Sequence, residues 1–157
     1  MNVTVDLEND CPEFWVPTAG QCEAWLRGAA ESSQKTDPSY VSIRVVGEIE
    51  AAELNRKFRD KEYAPNVLSF HADFPESHSQ HLEYDPLGDI VLCASIVASE
   101  AHQQHKSMEA HWAHLVVHGY LHLLGYDHEE EEQAVKMEIL EIQVLEKLGF
   151  PNPYLIG

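Results

Sequence analysis

Three histidines carry the clearest chemistry in this chain: His118, His122 and His128. His118 and His122 are four residues apart, which on a helix sets both imidazoles on one face, one turn apart. Gly125 can take the left-handed conformation that ends a helix. The chain can then turn back and bring His128 to the same point. Three neutral imidazoles with a fourth position open to water form the donor set of a catalytic zinc site, whereas structural sites are closed by four protein ligands. The pattern predicts one Zn2+ per chain, held by His118, His122 and His128. The chain has ten histidines, so accidental pairs are the competing reading. Helical spacing, a helix-stopping glycine and a third histidine just beyond it together favour the metal.

The spacing H-x3-H-x2-G-x2-H is also that of the metzincin proteases. In those a Glu follows the first histidine and serves as general base. Here that position is Gly119, so a metalloprotease is a weak alternative. Two neighbours of the triad have two open roles each. Asp127 can orient a ligand imidazole or cap the following helix. His114 can shuttle protons or be a satisfied core histidine.

Charge narrows the substrate. The net charge of −17 opposes general binding of nucleic acid, which calls for positive charge. Its distribution is uneven, however. Arg56, Lys57, Arg59 and Lys61 fall in one short stretch, and acid gathers in Glu129–Glu132 and beyond. The acidic run reads as a solvated helix N-terminus, where negative charge is favourable. A polyanion can still meet a local basic patch and a divalent cation. Arg59 is either a phosphate clamp or half of a surface salt bridge, and its residue type alone does not separate these. Cys11, Cys22 and Cys93 have no framework or metal-ligand spacing and read as reduced thiols of a cytoplasmic protein. The opening Met1–Glu8 lacks the basic start and apolar run of a signal peptide.

The elements that must hold these residues suit one domain spanning residues 1–157. Val3, Val5 and Leu7 alternate as a half-buried strand. A helix is expected from Pro17, at its first turn, to about Glu31. Tyr40–Val46 and Asn66–Phe70 read as strands, with a helix over Glu48–Arg59 between them. His71–Asp85 reads as a loop or hairpin excursion. Leu87–Ile96 reads as a central strand, followed by a polar helix or helix start over Ser99–His105. The metal helix spans about Ser107–Leu124 and is apolar nearly all round, hence central. A last helix runs over about Glu129–Leu148, closed by Gly149 and Pro151. The expected fold class is α+β: a small mixed sheet of about four strands packed with five or six helices.

The stretch His118-Gly-Tyr-Leu-His122-Leu-Leu-Gly125-Tyr-Asp127-His128 closely resembles the signature of the YbeY family of bacterial endoribonucleases. Leu54-Asn55 to Phe58-Arg59, Asn66–Phe70 and Leu87–Cys93 resemble other blocks of that family, in the same order. The resemblance implies a zinc-dependent, single-strand-specific endoribonuclease that acts in 16S ribosomal RNA 3′-end maturation and ribosome quality control. It implies metal ligation by His118, His122 and His128 and a functional role for Arg59, so the catalytic set is Arg59, His118, His122 and His128. His114 matches a frequent family residue that is not a ligand. The implied partners are RNA, the small ribosomal subunit with its platform proteins, and the Era GTPase; no membrane is implied. Ser99 departs from the family, which often has a basic residue before the Glu. The alternative from another class is a non-catalytic ribosome-associated RNA-binding factor with structural zinc.

Overall fold

A computed structural model describes residues 3–72, 86–127 and 129–155. Its strands are β1 (Val3–Asn9), β2 (Ser39–Val46), β3 (Val67–His71) and β4 (Pro86–Cys93). Its helices are α1 (Ala19–Ser32), α2 (Glu48–Arg59), α3 (Ala94–Gln103), α4 (Met108–Leu123) and α5 (Glu131–Lys147). The strands form one sheet in the order β1-β2-β4-β3. β2 is parallel to β1 and β4, and β3 is antiparallel to β4. This is the mixed four-stranded α+β sheet expected, with five helices among the described residues.

The two central strands are buried along most of their length because both faces of the sheet are covered. Val41, Ile43, Val45, Ile90 and Leu92 enter the main core with residues of α1, α4 and α5. Val46, Val91, Cys93, Leu68 and Phe70 form a smaller core with Ala51, Leu54 and Phe58 of α2. The sheet therefore separates helix α2, which ends at Arg59, from the histidine helix α4 across most of its area. The antiparallel edge strand β3 is where the two come within reach of common residues.

Helix α4 is central, as its sequence predicts. Trp112, Ala113, Val116, Val117, Tyr120 and Leu121 are all fully buried. Ser107 caps its start by accepting the Ala110 N–H at 3.1 Å. At its end the Gly125 N–H bonds to His122 O, and the Tyr126 N–H to Leu121 O, both at 3.0 Å. Gly125 has φ +104°, so the stop takes the double-bonded form that favours glycine. The chain leaves α4 sharply just after His122.

Some boundaries differ from expectation. Pro17 precedes α1 rather than opening it, and Thr18 is the N-cap, with a reciprocal box to Gln21. β4 ends at Cys93 and α3 starts at Ala94, so Ser95 and Ile96 are helical rather than extended. The excursion expected over His71–Asp85 lies mostly outside the described residues. All three cysteines are buried and free of disulfides. No helix among the described residues is long and apolar enough to cross a membrane.

Candidate metal centre

The partly exposed stripe of α4 carries His114, His118 and His122. The ring centroids of His118 and His122 are 4.7 Å apart at 80°, edge to face. The helical spacing thus brings these two imidazoles together. His128 lies outside the described residues. Asp127 has its Oδ1 accept the Glu129 N–H at 3.3 Å, a turn ahead of α5. The N-cap of α5 is Glu130, so Asp127 shapes the approach to that helix without capping it.

The structure adds a carboxylate that the sequence analysis missed. Glu141 of α5 is fully buried, and its Oε1 lies 2.5 Å from His118 Nδ1. The Tyr154 hydroxyl donates to the other oxygen, Oε2. His114 Nε2 is 3.5 Å from the same Oε2, and neither ring nitrogen of His114 has a well-formed hydrogen bond. The signal for Glu141 was present. Met137, Leu140, Val144 and Leu145 mark the buried face of α5, and Glu141 sits within that stripe. An acid at an apolar position of a helix needs partners, because an isolated buried carboxylate costs several kcal/mol.

Burial and close contacts shift Glu141 and two of its neighbours. Burial alone would push the Glu141 carboxyl up. The His114 and His118 imidazoles beside it outweigh that and hold it down at about 2. Burial lowers the pKa of His114 despite the nearby carboxylate, so this imidazole is neutral at neutral pH. Burial and the Glu141 charge raise the Tyr154 hydroxyl, which stays a donor. An ionised carboxylate only accepts hydrogen bonds. This contact calls for the His118 tautomer with its hydrogen on Nδ1, the one that leaves Nε2 to a metal. That is the tautomer in which an imidazole ligates a metal while a carboxylate holds its other nitrogen.

His114, His118 and Glu141 also offer one ligand atom each within 4.8 Å of one another, a group able to hold a metal ion. In the arrangement seen, the His118–Glu141 contact is a hydrogen bond. Two ligands of one tetrahedral zinc at about 2.0 Å would stand about 3.3 Å apart, wider than the 2.5 Å here. The donor set fits a divalent cation in either case: imidazole nitrogens backed by a buried carboxylate. A cavity of about 210 Å3 opens beside it, lined by His118, Ala134, Met137, Glu138, Glu141 and Tyr154. A larger hollow of about 560 Å3 around Lys106, Phe150 and Leu155 contains none of the three histidines on this stripe.

Gly119 shows why the residue after His118 is not a Glu. A Cβ there would stand 2.7 Å from Ile90 Cγ2 and 3.2 Å from Ser69 Oγ. Helix α4 lies against the sheet at this point, with no room for a side chain, so the protease arrangement is sterically excluded. Ser69 uses the close approach, donating from Oγ to Gly119 O at 3.1 Å. Arg59, exposed at the end of α2, donates from Nη2 to Ser69 O at 3.3 Å. Buried Asn55 holds the chain beyond α2 by donating to Tyr63 O at 2.8 Å. Ser69 is thus bonded both to Arg59 and to the backbone beside His118. Lys57 turns elsewhere, with its ammonium 5.2 Å from the Phe58 ring.

Residues 15–149 match the family model described as Endoribonuclease YbeY. The chain is 46% identical over 154 residues to a protein of Nitrosococcus oceani named endoribonuclease YbeY, covering 98% of each. It is 49% identical over 151 residues to the protein of that name from Stutzerimonas stutzeri, covering 96% of this chain and 91% of the other. It shares 52% identity over 133 residues with the protein of that name from a Pseudomonas putida strain, covering 85% of this chain and 79% of the other. The solution structure of TM1509 from Thermotoga maritima has the same fold, with a TM-score of 0.56 at 24% identity over 94% of this chain and 91% of the other.

Proposed function

The chain belongs to the YbeY endoribonuclease family, and from that premise we propose that it is a zinc-dependent endoribonuclease of single-stranded RNA, acting at the 3′ end of 16S ribosomal RNA and in ribosome quality control. The observation that carries this reading is the His118–His122 pair at 4.7 Å on one partly exposed helix stripe. His118, His122 and His128 hold the ion in this reading. When bound, zinc supplies a Lewis acid for a phosphoryl oxygen and lowers the pKa of water towards about 7.

The rest is done by the chain's own residues. Arg59 keeps its charge at any working pH and can give two parallel hydrogen bonds to phosphate oxygens. Its bond to Ser69 O ties it to the strand against which Gly119 packs. A phosphate bound by Arg59 is thereby brought towards the face of α4 that carries His118. Ionised Glu141 keeps His118 in the tautomer required, and neutral His114 adds no positive charge to oppose a cation.

Net charge limits how the substrate is found. A chain carrying −17 repels RNA at long range, and few basic residues offset this. Affinity for naked RNA is accordingly low, and targeting in the cytoplasm runs through the small subunit, its platform proteins and the Era GTPase. The exposed run Glu129–Glu132 at the start of α5 supports docking to a basic ribosomal protein.

The test incubates the zinc-loaded full chain, beside His118→Ala, with single-stranded and duplex RNA from the small-subunit 3′ end. Cleavage of the single strand by the wild type alone is expected. Equal cleavage by His118→Ala, or none by the wild type, overturns the reading. Binding to naked RNA and to isolated small subunits, compared over a salt series, separates the two modes of targeting. Tight binding to naked RNA at physiological salt refutes the docking account.

A further inference from the structure

Glu141 and Tyr154 come from two segments that the histidine signature does not include. Glu141 lies in the middle of α5, and Tyr154 lies beyond that helix, in the C-terminal tail. Each carboxylate oxygen of Glu141 has its own donor, Nδ1–H of His118 on one side and the Tyr154 hydroxyl on the other. The tail is fixed in turn. Lys106 Nζ donates to Pro153 O at 2.8 Å, the Tyr154 N–H bonds to Asn152 Oδ1 at 2.9 Å, and the Tyr154 ring stands edge-on to His114 at 5.4 Å. The Tyr154 residue as a whole is 42% exposed, yet its hydroxyl reaches a carboxylate with no exposure at all.

This arrangement has a direction. A carboxylate held at both oxygens cannot rotate about its terminal torsion, so it fixes the plane and tautomer of the imidazole that donates to it. The same imidazole is the first ligand of the histidine signature. We propose that Glu141 and Tyr154 are positioning residues for the metal: the C-terminal tail locks Glu141, and Glu141 locks His118 with its lone pair on Nε2. The proposal rests on the metal reading above. It extends the functional unit to a helix and a tail that carry no ligand of their own. Integrity of the tail thereby becomes a condition of metal affinity.

Two arrangements can be told apart. As a positioning residue, Glu141 needs only an acceptor oxygen towards His118, which Gln also provides. As a direct ligand grouped with His114 and His118, it needs its charge, and Gln would fail. Zinc affinity of the full chain is measured by competition with a chromogenic chelator at neutral pH, and folding is checked by circular dichroism. The variants are His118→Ala, His114→Gln, Glu141→Gln, Glu141→Leu and Tyr154→Phe. Tyr154→Phe keeps the ring packing and removes only the donor. Glu141→Gln keeps the buried volume should Glu141→Leu fail to fold.

Glu141→Leu is expected to weaken zinc about 10–100-fold. Tyr154→Phe should weaken it several-fold, while Glu141→Gln and His114→Gln stay close to wild type. Wild-type affinity in a folded Glu141→Leu or in Tyr154→Phe overturns the proposal. Losses in Glu141→Gln and His114→Gln that match His118→Ala overturn it in favour of direct ligation. Failure of the wild type to bind zinc, or full binding by His118→Ala, overturns the metal reading itself and this proposal with it.

Discussion

Two of the histidine–carboxylate contacts on helix α4 are hydrogen bonds in the described residues, and they are built in opposite senses. His111 Nε2 meets Glu100 Oε1 of α3 at 2.9 Å, and His118 Nδ1 meets Glu141 Oε1 of α5 at 2.5 Å. In the first pair the imidazole is buried and the carboxylate reaches solvent, with side-chain exposures of 4% and 29%. In the second the carboxylate is sealed and the imidazole is accessible, at 0% and 22%. Glu100 also accepts from Asn66 Nδ2 at 3.1 Å, so the first pair ties α3, α4 and the residue before β3 together. A buried imidazole with a solvated partner is an internal brace. An accessible imidazole with a buried partner presents its outer nitrogen to whatever enters the site. The same two residue types therefore take different work from which member faces the water.

The sharpest way to break this comparison is to remove each imidazole in turn. His118→Ala should abolish RNA cleavage and weaken zinc by more than the 10–100-fold that loss of an outer partner costs, with little change in folding. His111→Gln should do the reverse. It leaves Glu100 and Asn66 imperfectly paired and should cost about 1–3 kcal/mol in a urea titration, while zinc affinity stays near wild type. If His111→Gln lost metal as His118→Ala does, the two pairs would not be functionally distinct.

A smaller effect is expected on the opposite side of the site. Arg59→Lys retains the charge but loses the forked geometry. It should lower cleavage about tenfold or more, below the roughly 100–1,000-fold that follows removal of a charge-stabilising donor, with zinc affinity unchanged. Stability should hardly move, because Arg59 is exposed and its bond to Ser69 O is long. Single-turnover cleavage of one RNA by both proteins reads this out. Full activity of the lysine variant would remove the argument for a phosphate clamp.

The two histidine pairs also show what could be read from sequence. Spacing placed His118 and His122 together because the helix is regular and its stop is marked by Gly125. Burial was harder to read. His111, His114, His118 and His122 fall on one side of the helical wheel, yet only the packing of α3 and α5 decides which are covered. Glu141 was legible as an acid in an apolar stripe, but its partner 23 residues earlier was not. The start of α3 was hidden for a different reason. Cys93 makes no side-chain cap, and the apolar run continues from β4 into the helix without a glycine or proline. A short buried strand and a buried helix have the same apolar pattern there. The start of α1 was readable, since Thr18 and Gln21 spell a capping box just after Pro17.

The smallest effect belongs to the brace and appears only in acid. Burial pushes the Glu100 carboxyl up, but hydrogen bonds from His111 and Asn66, with the charges of His111 and Lys106, leave it below its usual value of 4.5. A group whose folded pKa is depressed contributes stability that is present above its unfolded pKa. That contribution is lost as pH falls through the folded value. Glu100 should thus contribute fully above about pH 4.5 and progressively less below it. The pair is partly solvated, so the contribution should not exceed about 1 kcal/mol. Glu141 is also depressed, to about 2, and contributes to acid unfolding over an overlapping range. Comparing wild type with Glu100→Gln cancels that term. Urea titrations of both metal-free proteins, stepped downward from pH 6, should show a stability difference that is constant above pH 4.5 and shrinks below it. A difference that stays flat to pH 3 would mean that the Glu100 charge does no work in the brace, leaving shape alone to hold α3 against α4.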